Sequence, residues 1–235
     1  MGQFWLPFLA AALISVGPVN AAPPCADLAL VLAIDSSSSI DEDEFRMQVL
    51  GYAAAFVNPK VVRALGKAGT VEVASVFWAD SANPLLITKW VRVRSNADAK
   101  ALADTFLMVR RSTFGDTELG AGLMAALDLF DMPGQCSARK IVNVSGDGRA
   151  SVGSRRAANT SVAEARARAD TMGVTVNGLA ILNAEPKLAE YYRTQVMTGP
   201  GAFVMDAQDF RAFGDAIVRK LEREIQPQLL TSLDP

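Results

Sequence analysis

The feature that most constrains the fold is the alternation of short apolar runs with longer amphipathic stretches along most of the chain. Runs with the length and apolar content of β-strands cover residues 28–34, 71–78, 85–93, 140–144, 174–181 and 202–205. Stretches typical of helices cover residues 43–56, 97–109, 119–130, 162–172, 188–196 and 209–225. Strands that alternate with helices form mostly parallel sheets covered on both faces. We therefore predict a three-layer, doubly wound α/β fold with a mostly parallel, six-stranded sheet.

The strand at 85–93 departs from this alternation, because only the short link ADSAN separates it from the strand at 71–78. A parallel pair needs a long crossover connection, so these two strands are predicted to be antiparallel, with one of them at an edge of the sheet. Functional residues of such sheets gather where strands end and helices begin. This rule points to the loops after Ile34, before Leu119 and after Val144.

Composition excludes several classes of function. The chain has 235 residues, half of them apolar, and 23 basic residues mixed with 25 acidic ones, so nucleic acid is not an expected partner. It contains no histidine. Ser-His-Asp and Cys-His catalysis are therefore excluded, as are histidine metal ligands. Any bound metal must be held mainly by oxygen, as Mg²⁺, Mn²⁺ and Ca²⁺ are.

The amino-terminal segment is typical of an exported protein. The first 26 residues carry no charged side chain, and residues 4–16 are almost wholly apolar. We predict a signal peptide over residues 1–22, one domain over residues 25–226 and a loose tail over residues 227–235. An uncleaved anchor is the alternative, although the apolar run is shorter than the ~20 residues of a spanning helix. The mature protein is expected in the periplasm or outside the cell, with no membrane span.

Two cysteines, Cys25 and Cys136, are present. They fit one disulfide bond in an oxidising compartment, and two free thiols are the alternative.

Five oxygen-bearing residues fall in the three loops at the carboxyl edge of the sheet. They are Asp35, Ser37, Ser39, Thr117 and Asp147. Two carboxylates and three hydroxyls suit a hard divalent cation but leave its coordination shell incomplete, so water or an outside ligand must complete it. The alternate serines, Ser36 and Ser38, are expected to point away and to tolerate change.

These residues resemble the metal-ion-dependent adhesion site of the von Willebrand factor type A domain family. Asp35, Ser37 and Ser39 match its D-x-S-x-S motif, Thr117 in GDTELGAGL matches its threonine, and Asp147 in VSGDG matches its aspartate. The resemblance covers residues 27–225 and is strongest to exported bacterial members of unknown function. The family commonly has T-D-G where this chain has an additional glycine, Gly146, before the aspartate.

The resemblance implies a non-catalytic function. In the family, the hydroxyls bind Mg²⁺ or Mn²⁺, the aspartates act directly or through water, and a carboxylate of the partner completes the shell. The expected cation is therefore Mg²⁺ or Mn²⁺ rather than Ca²⁺, and the expected partner is a protein or other ligand that presents a carboxylate. Family topology also places the strands that follow Cys25 and Cys136 side by side, which implies a disulfide bond between these cysteines.

Other interpretations of the first loop remain. Its acids fit a helix-capping box, either Ser39 with Glu42 or Asp41 with Glu44. A calcium-binding EF-hand loop is excluded by Ile40 and Arg46, which occupy its glycine and glutamate positions.

Two further functions stay open as alternatives. One is a sensor or assembly subunit, in which metal binding moves the helix at 209–225. The less favoured one is a metal-dependent phosphohydrolase with Asp35 as nucleophile, although such enzymes usually have a second acid where Ser37 stands.

Five arginines near the second and third loops would favour an acidic partner if they surround the metal, or would be ordinary solvated side chains. They are Arg110, Arg111, Arg149, Arg155 and Arg156.

Overall fold

The computed structural model describes residues 24–80, 83, 85–151 and 160–227. Its centre is a seven-stranded sheet. The strands are β1 (Ala26–Asp35), β2 (Val71–Trp78), β3 (Leu86–Ile87), β4 (Val91–Val93), β5 (Ser137–Gly146), β6 (Thr175–Ile181) and β7 (Val204–Ala207). Their order is β3-β2-β1-β5-β6-β7, with β4 also paired to β2. Strands β1, β2, β5, β6 and β7 are parallel, and β3 and β4 run antiparallel to β2.

Helices cover both faces of the sheet. The α-helices are α1 (Glu42–Val57), α2 (Pro59–Ala68), α3 (Asn96–Leu107), α4 (Leu119–Asp128), α5 (Val162–Thr171), α6 (Leu188–Tyr191) and α7 (Phe210–Ile225). A 3₁₀ turn, Leu129–Asp131, extends α4, and a π-helical turn, Tyr192–Val196, extends α6. Helices α1, α2, α3 and α7 pack on one face, and α4, α5 and α6 pack on the other.

The central strand β1 separates two cores. Its side chains alternate between the faces, as in any strand. Leu28, Leu30 and Leu32 pack under α1 and α7, and the smaller Ala29 and Ala33 face α4. Because every residue of β1 except Asp27 is buried, the strand carries Asp35 to the sheet edge within a rigid element.

The predicted α/β class with a mostly parallel sheet is confirmed. The antiparallel edge consists of two short strands, β3 and β4, rather than one, because the segment between Ile87 and Val91 leaves the ladder. Helix α2 was not predicted. It begins at Pro59, where the Asn58 side chain accepts a hydrogen bond from the Lys60 backbone N–H at 3.0 Å.

The Cys25–Cys136 disulfide implied by the family resemblance is present, with 4.8 Å between the Cα atoms. Each cysteine lies just before one of the neighbouring parallel strands β1 and β5. The bond therefore lies at the edge of the sheet opposite to the candidate metal site. No helix among the described residues is long and apolar enough to cross a membrane. The predicted signal peptide and residues 228–235 of the predicted tail lie outside the described residues.

Candidate metal site

The topology brings the five predicted site residues to one edge of the sheet. Asp35 is the last residue of β1, and Asp147 directly follows β5, which is parallel and adjacent to β1. Thr117 lies two residues before α4, which packs over the same strands. Parallel neighbouring strands end together, so residues more than 100 positions apart in sequence meet at their carboxyl ends.

Hydrogen bonds link three hydroxyls to one carboxylate. Thr117 Oγ1 donates to Ser37 Oγ at 3.1 Å, and Ser37 Oγ lies 3.1 Å from Ser39 Oγ. Ser39 Oγ donates to Asp147 Oδ1 at 2.7 Å. The structure therefore places the three hydroxyls and Asp147 in one contiguous cluster, which is the arrangement that the motif predicts.

Asp35 lies under this cluster and is fully buried. Its Oδ1 accepts a hydrogen bond from the Ser37 backbone N–H at 2.8 Å. Burial raises the pKa of Asp35 to about 7, and the negative charge of Asp147 adds to the rise. Burial also raises the pKa of Asp147. Each ionised carboxylate is therefore unfavourable here without a compensating positive charge.

The donor set fits a hard divalent cation. Asp35 Oδ2 and Asp147 Oδ2 are both buried, and neither has a hydrogen-bond partner among the described residues. A cation with bound water would satisfy such oxygens and would remove the cost of ionising both acids. In the described part of the chain, no group of three or more acidic, cysteine or histidine side chains is arranged to hold a metal ion by itself. Any metal at this edge must therefore use the hydroxyl oxygens as well.

The alternate serines do point away from the cluster. Ser36 Oγ donates to the Thr113 carbonyl at 2.9 Å, and Ser38 Oγ accepts from the Gly115 backbone N–H at 3.0 Å. Both hydroxyls hold the second loop against the first. Ser36 is completely buried, so we no longer expect it to tolerate change as an exposed serine would.

The acids that follow the serines start a helix. The Asp41 side chain accepts from the Glu44 backbone N–H at 2.8 Å, and Glu44 accepts from the Asp41 backbone N–H at 2.9 Å. This reciprocal pair is the predicted capping box. The acids therefore belong to α1, while Asp35 belongs to the site.

The positive charge predicted around the site is only partly present. The Arg111 guanidinium donates to the Ser36 and Ser37 carbonyls at 3.0 and 2.8 Å and lies 4.7 Å from the Phe114 ring centroid, so it braces the first loop. Arg149 pairs with Glu185 at 3.4 Å. Arg110 is exposed, and Arg155 and Arg156 lie outside the described residues.

One residue near the site was not anticipated from the sequence. Tyr192, at the start of the π-helical turn, is fully buried, and the charges of Asp35 and Asp147 add to burial in raising the pKa of its hydroxyl well above its usual value. A Cβ placed on Gly146 would lie 2.7 Å from Asp35 Oδ2 and 2.8 Å from the Tyr192 hydroxyl. The extra glycine of VSGDG thus leaves space for both oxygens. No pattern in the sequence around Tyr192 indicated this position.

Three solved structures share the fold at low sequence identity. The open conformation of the pilus adhesin SpaC from Lactobacillus rhamnosus GG is 16% identical, with a TM-score of 0.58, over 88% of this chain and 30% of that one. A von Willebrand factor type A structure from Catenulispora acidiphila is 20% identical, with a TM-score of 0.55, over 86% and 43%. Mussel byssus proximal thread matrix protein 1, with a zinc-occupied MIDAS motif, is 17% identical, with a TM-score of 0.53, over 86% and 46%.

The fold is therefore that of a von Willebrand factor A-type domain, and the resemblance seen in the sequence is confirmed. The chain belongs to the family described as protein of unknown function DUF1194, which matches residues 24–229. It spans less than half the length of the three structures above. No curated protein matches it.

Proposed function

We propose that this protein binds a divalent cation, Mg²⁺ or Mn²⁺, at Asp35, Ser37, Ser39, Thr117 and Asp147, and uses the cation to hold a carboxylate of a partner. The function is recognition without catalysis. The observation that carries the proposal is the contiguous cluster of three hydroxyls and Asp147, 2.7–3.1 Å apart, above a buried Asp35. A cation there would leave part of its shell for an outside ligand.

The exposure of the residues supports a ligand that approaches from solvent. Asp35 and Ser37 are buried beneath the site, whereas Ser39 is exposed. The cation would therefore be anchored from the protein side and remain open on the other side. The zinc-occupied MIDAS motif of the byssus protein is consistent with metal binding by this fold, and the pilus adhesin is consistent with a partner that is a protein.

The disulfide bond supports a place of action outside the cytoplasm. Disulfides persist in oxidising compartments such as the periplasm and the cell exterior. Together with the predicted signal peptide over residues 1–22, the Cys25–Cys136 bond leads us to propose an exported protein, in which residues 25–226 form the binding domain and residues 227–235 a tail.

Neighbouring serines provide a matched test. Ser38 and Ser39 are both exposed, but only Ser39 contacts Asp147. We expect the wild-type protein to bind Mn²⁺ in calorimetry at pH 8 and Ser39→Ala to bind it at least about tenfold more weakly. Ser38→Ala removes only a hydrogen bond between the two loops, so it should bind Mn²⁺ more tightly than Ser39→Ala does. Equal affinities for the two variants, or no Mn²⁺ binding by the wild-type protein, would contradict the site.

A second experiment tests recognition. The wild-type and Ser39→Ala proteins are used as baits for the native envelope fraction, with Mg²⁺ or with a chelator. We expect the wild type to retain a partner only with Mg²⁺ and the variant to lose it. A partner retained equally by both baits in chelator would show that recognition does not use the metal.

A further inference from the structure

A buried tyrosine, Tyr192, lies in a slot under the metal site, with its hydroxyl near Asp35. Two glycines on neighbouring strands form this slot. A Cβ on Gly178 of β6 would lie 2.7 Å from Cδ2 of Tyr192, and a Cβ on Gly146 of β5 would lie 2.8 Å from the Tyr192 hydroxyl. Real Cβ atoms essentially never approach other atoms so closely. The ring therefore occupies space that exists only because neither strand carries a side chain there.

The backbone at Tyr192 is unusual as well. The residue begins the five-residue π-helical turn Tyr192–Val196, directly after α6. Short π-helical segments are rare and occur frequently at functional sites. The turn directs the ring of Tyr192 inward, and the side chain is completely buried.

Two buried oxygen atoms in this slot lie close together without hydrogen-bond partners. The Tyr192 hydroxyl and Asp35 Oδ2 each lack a partner among the described residues, and each lies within 2.8 Å of the same point beside Gly146. The gap between them is therefore no wider than one bridging water spans. An unpaired buried hydroxyl or carboxylate oxygen is unfavourable, and one water molecule that bridges the two would satisfy both atoms.

The direction of hydrogen bonding in such a bridge is determined by chemistry. A carboxylate only accepts, whereas a phenol can donate. A phenol is protonated at pH 8, because its usual pKa is about 10. Asp35 Oδ1 is already held by the Ser37 backbone N–H at 2.8 Å, so a donor on Oδ2 would hold the second oxygen and fix the plane of the carboxylate.

We infer that Tyr192 is a positioning residue of the metal site, whose hydroxyl donates a hydrogen bond to one water molecule that bridges to Asp35 Oδ2, and that this bridge orients the carboxylate for the cation. The inference rests on the proposed function, because it concerns how the same site holds its metal. Groups that orient metal ligands typically contribute about 10–100-fold to metal affinity.

The test is Tyr192→Phe, which keeps the ring in its slot and removes only the hydroxyl. The matched control is Tyr52→Phe. Tyr52 is also fully buried, but its hydroxyl lies 3.1 Å from Ser145 Oγ and faces the core under α1 and α7. Mn²⁺ affinity is measured by calorimetry at pH 8, the free energy of unfolding of each metal-free protein by urea titration, and the ligand geometry of bound Mn²⁺ by its EPR line shape.

We expect Tyr192→Phe to weaken Mn²⁺ binding about tenfold or more and to change the EPR line shape, while the metal-free protein still unfolds in one cooperative urea transition. Tyr52→Phe should leave affinity and line shape unchanged. The inference is overturned if Tyr192→Phe binds Mn²⁺ as the wild type does, or if both variants weaken binding equally. A wild-type protein that binds no Mn²⁺ overturns the proposed function and this inference together.

Discussion

Gly146 offers the most direct test of how the site is built. It is the last residue of β5 and immediately precedes Asp147. The Gly146→Ala substitution would place a Cβ 2.7 Å from Asp35 Oδ2, 2.8 Å from the Tyr192 hydroxyl and 3.0 Å from Asp35 Cβ. Gly146 does not have a positive φ, so an alanine can adopt its backbone conformation. The substitution therefore acts through steric crowding of Asp35 and Tyr192 rather than through backbone strain.

The size of the effect follows from these distances. Ordinary van der Waals contact of a Cβ begins near 3.4 Å, so Asp35 Oδ2 must move by several tenths of an ångström. Overpacking of this kind in a buried region costs about 1–3 kcal/mol, offset by about 0.4–1 kcal/mol because alanine restricts the unfolded chain. We expect a net loss of about 1–2 kcal/mol in the free energy of unfolding. Mn²⁺ affinity should fall about tenfold or more, because the displaced carboxylate no longer faces the cation.

Gly148→Ala is the matched control. It lies on the other side of Asp147, and among the described residues its added Cβ would meet only Thr117, at 3.6 and 3.7 Å, which is ordinary contact. Urea unfolding and Mn²⁺ calorimetry are compared for the wild type and both variants. If Gly146→Ala binds Mn²⁺ as well as Gly148→Ala does, the placement of Asp35 and Tyr192 against this strand end is wrong.

Two further predictions concern pH and the last helix. Burial raises the pKa of Asp35 from 3.8 to about 7, so between these values the folded protein holds a proton that the unfolded chain has released. The free energy of unfolding in EDTA should therefore fall as pH rises from about 4 to about 7, by at most roughly 4 kcal/mol. Mn²⁺ binding should strengthen over the same range. If urea unfolding of Asp35→Asn shows the same dependence of stability on pH as the wild type, this reasoning is refuted. Amide exchange of α7 should be the same with and without Mn²⁺, and protection that changes along the helix would support a sensor.

The sequence predicted most of the fold because its strongest signals are long and periodic. The buried apolar runs of β1, β2 and β6 are typical of central strands, and Asp35 of the motif is the last residue of β1. The candidate site was predictable for the same reason. D-x-S-x-S and the aspartate lie at the ends of β1 and β5, and the threonine lies just before α4. The order of strands in a parallel sheet then brings them together.

The parts that were not predicted depend on tertiary contacts. Helix α2 follows α1 with Asn58 as the only residue between them, so its amphipathic pattern does not stand out from that of α1. Strands β3 and β4 are too short for a periodic signal of their own. The place of Tyr192 depends on glycines from two strands and on a π-helical turn, and none of these contacts is visible from neighbours in the sequence.

The buried polar network at the end of α7 distinguishes between two interpretations of the protein, a rigid binding module and a sensor whose last helix slides along the sheet. Glu224 accepts hydrogen bonds from Lys220 at 2.5 Å, from Asn177 of β6 at 3.0 Å and from Asn143 of β5 at 2.7 Å, all of them buried. Sliding α7 along the sheet would separate Glu224 from both asparagines, although Lys220 belongs to the same helix and would move with it. A hydrogen bond to a charged group contributes about 1.5–3 kcal/mol, so losing two of them costs about 3–6 kcal/mol. A ligand can shift an equilibrium only by its differential affinity for the two states, so a cation would need a preference of that size for the shifted form. The candidate metal ligands lie at the carboxyl ends of the strands and none of them belongs to α7, so this network favours a helix that stays in place when the metal binds.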